Sequence, residues 1–195
     1  MRQYRVKEHL LEPGWVSLLR LVTFIATAIV YIVTIVVYWK NGIDAIHDRV
    51  YDPLLAAAQW VGGPVFLLGL VFAFIRPTKK IGGVIIYVNA AFGLIAFGIL
   101  AFVMTDNFGG RTWALIGGVA GIVSLGYATF AVACVALLIK GQWLFAAIFL
   151  FGALFLRWVS KAATRLMYHD LIAANNALPF HPAFVDSSEP DSTTG

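Results

Sequence analysis

A long uncharged run lies at the centre of the chain, where residues 81–105 read IGGVIIYVNAAFGLIAFGILAFVMT. A helix needs about 20 apolar residues to cross the roughly 30 Å of hydrocarbon in a bilayer, and this run exceeds that length. Three further uncharged runs cover residues 21–39, 53–75 and 113–139. The chain is therefore predicted to be an all-α integral membrane protein.

The amino-acid composition agrees with this fold class. Hydrophobic residues make up 61% of the 195 residues and charged residues 12%, against about 45–50% and 25% in soluble domains. The net charge of +4 comes from Lys and Arg near the ends of the apolar runs rather than from one dense basic patch. We therefore expect the lipid bilayer as a partner, and no nucleic acid.

The last apolar segment leaves the number of spans open. Trp143 to Leu156 is a short stretch, of a length more typical of interfacial or re-entrant helices than of spans. It has no polar face, however, on which it could lie at the membrane surface. We therefore predict a polytopic bundle of five transmembrane helices, at about 21–39, 53–75, 81–105, 113–139 and 143–159. The alternative is four spans plus a re-entrant or interfacial helix at 143–156.

Basic residues predict the orientation. Lys and Arg favour the cytoplasmic side of a membrane, and they are concentrated before the first run and in the connection from Arg76 to Lys80. The short N-terminal segment 1–14 and this connection are therefore predicted to be cytoplasmic, in the inner membrane of a prokaryotic cell. The connections at 41–52 and 106–112 are predicted to lie outside. Five spans would also put the C-terminus outside.

A basic segment follows the last apolar run and opposes that placement. Arg157, Lys161 and Arg165 recur every four residues and so share one helical face. We expect this cluster to face lipid, where anionic head groups attract it. Residues 160–176 are predicted to form an amphipathic basic helix. The residues after it, 177–195, are predicted to form a disordered polar tail, since they are too polar to pack.

Small residues at helical spacing predict where helices pack closely. Gly69 and Ala73 are four residues apart, as are Gly117 and Gly121. Such pairs let two backbones approach each other where no hydrophobic force acts between helices. The spacing does not distinguish a partner helix in this chain from one in a homo-oligomer or in another subunit.

The apolar runs carry few groups that could do chemistry. They contain no Asp, Glu, Lys, Arg or His, the residues on which proton relays and haem sites usually depend. His47 with Asp44 and Asp48 is read as a solvated loop helix rather than a metal site. With no catalytic motif in the sequence, we expect no cofactor, no metal and no enzymatic activity.

Two functions of different classes fit these features. The first is an accessory or scaffold subunit of a larger membrane complex, which acts through helix packing and has other membrane subunits as partners. The alternative is a small-solute transporter or channel subunit, with an intramembrane polar site near Asn89, Ser124 and Tyr127. The small number of polar side chains in the apolar runs favours the accessory or scaffold subunit.

Overall fold

The computed structural model describes residues 10–124 and 126–177, and every regular element in these ranges is helical, as predicted. Most of the predicted N-terminal segment and of the predicted polar tail lies outside the described residues. The helices are α1 Gly14–Ile46, α2 Asp52–Ala57, α3 Gly63–Phe74, α4 Lys79–Gly109, α5 Arg111–Ser124, α6 Tyr127–Ile139, α7 Trp143–Met167 and α8 His169–Ala177. Short π-helical turns, His47–Tyr51 and Ala58–Gly62, flank α2.

Three helical stretches of the described chain are long and apolar enough to cross a membrane: Gly14–Phe74, Arg76–Gly109 and Trp143–Met167. The first of them reverses direction at Gly42, whose φ of 81° and ψ of −171° are not helical and suit glycine. Val30 and Leu54 line one groove, although a straight helix would hold them about 36 Å apart. The stretch therefore forms two antiparallel rods, residues 14–41 and 43–74.

α4 lies at the centre of the bundle and packs first against α3. A Cβ atom built on Gly82 would lie 2.8 Å from the carbonyl oxygen of Gly69 and 2.5 Å from the backbone nitrogen of Ala73. No side chain fits between two backbones at that distance. The predicted pair Gly69 and Ala73 thus lies at a close helix contact within this chain.

α7 runs antiparallel along the other side of α4. Near the start of α4, a Cβ on Gly83 would lie 2.9 Å from the carbonyl oxygen of Ala163. Near its end, the rings of Phe108 and Phe145 stack at 5.6 Å. Residues 143–156 are therefore the first part of a 25-residue helix that is long and apolar enough to span a membrane, and the choice between a span and a re-entrant or interfacial helix at 143–156 stays a prediction.

The predicted basic helix 160–176 is divided in two. Its first part continues α7 without interruption, and α8 begins only after Tyr168, whose φ of −126° and ψ of 29° interrupt the helix. α7 continues past its apolar part because its basic side chains all lie on the exposed side of the helix, and the buried side stays apolar. These side chains are Arg157, Lys161 and Arg165.

Residues 113–139 do not form the single span that the sequence predicted. α5 ends at Ser124, Gly126 adopts a left-handed conformation with φ 86°, and α6 returns beside α5. Thr129 Oγ1 donates a hydrogen bond to the Gly117 carbonyl oxygen at 2.8 Å, although a continuous helix would separate these residues by about 18 Å. We call α5 and α6 the hairpin, and the end of it that includes Ser124, Gly126 and Tyr127 its tip.

The hairpin brings the start and the end of the described chain to the same end of the bundle. Met167 packs in one cluster with Val16 at the start of α1, and Lys80 Nζ pairs with Asp170 at 3.2 Å. We call this the basic end, and the end that holds Gly42 and Gly110 the opposite end. The basic end carries Arg20, Arg76, Lys79, Lys80, Lys161 and Arg165. Five full-length antiparallel helices would have separated the two chain ends.

Candidate functional site

The side chain of Tyr31, from the middle of α1, fills a socket at the hairpin tip. Tyr31 is 0% exposed. Gly98 of α4, Gly121 of α5 and Gly126 at the tip surround it. A Cβ atom on Gly121 would lie 2.5 Å from Cε1 and 2.8 Å from Cδ1 of the ring, and one on Gly98 would collide with the hydroxyl. We call these three glycines the Tyr31 socket, because their lack of side chains makes room for the ring.

The hydroxyl of Tyr31 is buried without a hydrogen bond of acceptable geometry to any described residue. The Thr129 hydroxyl lies beside it and donates its proton to the Gly117 carbonyl oxygen, so Thr129 has an acceptor oxygen but no proton to offer the Tyr31 hydroxyl. Buried polar groups are normally paired, and an unpaired one costs about 1–3 kcal/mol of stability. An apolar ring would therefore pack at this position at a lower cost in stability than tyrosine does. For this reason we treat the socket as a candidate functional site.

Replacing Tyr31 with phenylalanine is expected to raise the free energy of unfolding by about 1 kcal/mol, because the change removes an unpaired hydroxyl and keeps the ring. Chemical denaturation of the purified protein in detergent measures this. Tyr38→Phe is the matched control and should lower stability, since the Tyr38 hydroxyl donates to the Asp106 carboxylate. A Tyr31→Phe protein less stable than the wild type would show that the hydroxyl has a partner.

The buried face of α1 carries hydroxyl groups, whereas its exposed face is aliphatic. Thr27, Tyr31, Thr34 and Tyr38 are all buried, and their spacing of three or four residues puts them on one side of the helix. The exposed residues include Leu18, Val22, Ile25, Ile29, Ile32 and Val36. We call the buried set the hydroxyl stripe. It extends from Thr27, about one turn from Tyr31 on the side of the basic end, to Tyr38 at the opposite end.

A polar cluster lies where the hydroxyl stripe reaches the opposite end. Tyr38 of α1 bonds to Asp106 of α4, as described above. The Arg111 guanidinium of α5 lies 5.5 Å from the centre of the Tyr38 ring and 4.9 Å from that of the Trp39 ring. Cation–π contacts of this kind hold a charge near an aromatic face. The cluster thus ties the base of the hairpin to α1 and α4.

The predicted polar residues lie in three different surroundings. Asn89 lines a cavity of about 250 Å³ between α3, α4 and α7, and its amide donates to a carbonyl of its own helix. Ser124 lies at the hairpin tip, where its hydroxyl accepts a bond from the Ala128 backbone nitrogen at 2.8 Å. Tyr127 lines a groove between α6 and α7 together with Arg157.

The predicted packing pair Gly117 and Gly121 lies within the hairpin. A Cβ on Gly117 would approach Val132 of α6 to 3.4 Å, while Gly121 contacts the Tyr31 ring. The pair therefore serves the contact between α5 and α6 and the socket itself. The sequence did not single out Tyr31, and the only available signal was its position within the hydroxyl stripe.

One group of described residues has the composition of a metal site. His47, Asp48 and Asp52 place ligand atoms within 4.8 Å of one another in the turn after α1. All three are exposed, and His47 Nδ1 already lies 3.5 Å from a carboxylate oxygen of Asp52. Exposed acidic groups often lie close together without an ion, so we assign no metal here.

No protein family model, curated protein or solved structure matches the chain. The function is therefore argued from the geometry of the bundle.

Proposed function

We propose that the chain is a multi-pass protein of a prokaryotic inner membrane, with four full crossings and one re-entrant hairpin. The crossings are residues 14–41, 43–74, 79–109 and 143–167. With the basic end in the cytoplasm, every basic cluster obeys the charge rule for membrane proteins. This placement removes the conflict between hydropathy and charge that five spans create, and it puts the C-terminus in the cytoplasm.

The lengths of the two hairpin helices support this topology. α5 has 14 residues and α6 has 13, so each is about 20 Å long. Neither reaches across about 30 Å of hydrocarbon. The hairpin therefore enters from the outer surface and turns near the middle of the membrane, at the level of the Tyr31 socket.

A helix break inside the membrane favours the transporter or channel hypothesis over the scaffold hypothesis. Non-helical backbone is tolerated at that depth only where it is buried in protein or lines a cavity, and transporters build substrate sites at such breaks. A subunit that acts only by packing against other subunits does not need a helix break inside the membrane. The observation that carries the proposal is Tyr31, buried at the tip with an unpaired hydroxyl.

The proposed route follows the hydroxyl stripe from the Asp106 cluster to the socket, where the Tyr31 ring closes it. The stripe contains no charged side chain, and at the opposite end Tyr38 contacts both Asp106 and Arg111. The hydroxyls of Thr27, Thr34 and Tyr38 donate their protons within the chain, so their oxygens suit a solute that donates hydrogen bonds. We therefore propose a small uncharged polar solute as the substrate, moved when the Tyr31 ring leaves its socket.

Replacing Tyr31 with alanine tests this proposal. The variant is expected to raise glycerol permeation through proteoliposomes at least roughly tenfold, equivalent to a barrier about 1.4 kcal/mol lower. Stopped-flow light scattering measures the rate, and gel filtration confirms that the variant is folded. Tyr31→Phe keeps the ring and should permeate glycerol as the wild type does. A folded Tyr31→Ala protein no faster than protein-free liposomes would refute the route.

The accessory or scaffold subunit is the second candidate, and the exposed surface favours it. Trp60 is 81% exposed and Phe74 is 86% exposed on the rod formed by residues 43–74. Large apolar side chains there suit another membrane subunit as well as lipid. Stoichiometric co-purification of a second protein in mild detergent, without solute flux by this chain alone, would favour this candidate.

A further inference from the structure

The cavity beside Asn89 opens on the outside of the bundle at the level of the bilayer centre. It encloses about 250 Å³ between the rod of residues 43–74, α4 and α7, and its lining includes the exposed residues Gly63 and Phe155. Phe155 is the central residue of α7, about 18 Å along the helix from either end. Asn89 lies about 14 Å along α4 from Lys80, roughly half the thickness of the hydrocarbon. An occupant of this cavity therefore lies among lipid tails and away from the headgroups.

The Asn89 side chain has hydrogen-bonding capacity that the described chain does not use. Its Nδ2 donates to the Ile85 carbonyl oxygen at 3.0 Å, and this is the one hydrogen bond of the side chain among the described residues. A primary amide has a second N–H, and its oxygen can accept two bonds. A Cβ on Gly62 would lie 3.5 Å from Asn89 Oδ1, so the glycine leaves that oxygen uncovered. Unpaired amide groups are costly in hydrocarbon, and a ligand that pairs with them removes the cost.

The backbone that faces Asn89 departs from the α-helix at the same level. Ala58–Gly62 is a π-helical turn, and both of its end residues line the cavity. Single π-turns inside α-helices are rare and are frequent at functional sites. Gly62 and Gly63 also line the cavity and add no side chain that would fill it. The space is thus left open by both the backbone and the sequence of the rod.

The lining determines the chemistry of an occupant. It contains no charged residue, and a charge at this depth is costly, so the occupant is uncharged. Phe66, Phe92 and Phe155 belong to the lining, and aromatic side chains pack favourably against another flat ring. A cavity of about 150 Å³ admits benzene, so one of about 250 Å³ admits a substituted ring. Asn89 provides one place that binds a carbonyl or hydroxyl group on that ring.

We propose that this cavity binds the ring of an isoprenoid quinone, with a ring carbonyl accepting a hydrogen bond from the second N–H of Asn89. The isoprenoid tail leaves through the open side among the lipid chains. The reduced form fits the same place, because a quinol hydroxyl donates to Asn89 Oδ1. A quinone is uncharged, flat and hydrophobic, and so it reaches the bilayer centre. The proposal concerns binding without electron transfer, and it does not depend on the transport function.

Binding of radiolabelled decylubiquinone to the full-length protein, immobilised on scintillation beads in detergent, tests the proposal. Unlabelled decylbenzene, which has a ring and the same tail but no oxygen, should compete at least about fivefold less well than unlabelled decylubiquinone. Asn89→Leu should weaken decylubiquinone binding about fivefold, the effect of one hydrogen bond, and leave the affinity for decylbenzene unchanged. Gln59→Leu is the matched control and should bind as the wild type does. It removes an exposed amide of the same π-turn that is outside the cavity lining.

A second variant tests the cavity separately from the hydrogen bond. Ala58 lines the cavity, and Ala58→Phe should fill it and reduce the binding of both compounds, while gel filtration shows whether the variant is folded. Undiminished decylubiquinone binding by Asn89→Leu, or by folded Ala58→Phe, would overturn the proposal. Equal affinity of the wild type for the two compounds, or no saturable binding, would overturn it too. A stable dimer that excludes decylubiquinone would place a second copy at the cavity instead.

Discussion

Replacing Gly121 with alanine is expected to lower the free energy of unfolding by about 2–3 kcal/mol, the usual cost of overpacking a tight interior. The new methyl group would lie 2.5 and 2.8 Å from two carbons of the Tyr31 ring and would also meet the Thr129 hydroxyl. The ring has little room to retreat, because Gly98 and Gly126 lie against its hydroxyl end. Titration with a denaturing detergent measures the loss.

Gly14→Ala is the matched control for this substitution. No atom lies within 4 Å of the position that its Cβ would take, so the change should be neutral or stabilise the helix by up to about 1 kcal/mol. Combining Gly121→Ala with Tyr31→Leu should recover part of the loss, because the smaller side chain leaves space for the methyl group. Equal stability of Gly121→Ala and the wild type would show that Tyr31 does not occupy the socket.

Hydropathy predicted the helices well and their direction less well. The long uncharged runs correspond to helices because a helix satisfies its backbone hydrogen bonds within the apolar segment itself. Residues 113–139, however, are apolar on both sides of Gly126, so the length of the run suggested one crossing. The reversal depends on the left-handed backbone of Gly126 and on contacts such as Thr129 with Gly117. Because glycines are common in membrane helices, the presence of Gly126 in the sequence does not by itself predict a turn.

The candidate site was harder to predict than the fold. Asn89, Ser124 and Tyr127 were selected for the polarity of single side chains, and the structure places them in different surroundings. The Tyr31 socket combines one residue of α1 with glycines from α4, α5 and the hairpin tip. No spacing rule links residues that far apart in the chain. Only the hydroxyl stripe, with its helical period, was visible in the sequence of α1.

The proposed re-entrant hairpin predicts that both of its ends are reached from the same side of the membrane. Asn107 precedes the hairpin and Lys140 follows it, and both are exposed. If the basic end faces the cytoplasm, both residues face outward, while Pro77 in the basic connection faces inward. One full crossing between Asn107 and Lys140 would instead place them on opposite sides. Labelling at position 140 is therefore expected to be complete if the hairpin is re-entrant and absent if the segment crosses the membrane once.

The most direct test is cysteine labelling at position 140 in intact cells. Cys134→Ala removes the single native thiol, and Lys140→Cys, Asn107→Cys and Pro77→Cys are then introduced one at a time. A membrane-impermeant maleimide should label Lys140→Cys as fully as Asn107→Cys and leave Pro77→Cys unlabelled until the cells are opened. If Lys140→Cys is protected together with Pro77→Cys while Asn107→Cys reacts, residues 111–139 cross the membrane once and the re-entrant hairpin is contradicted.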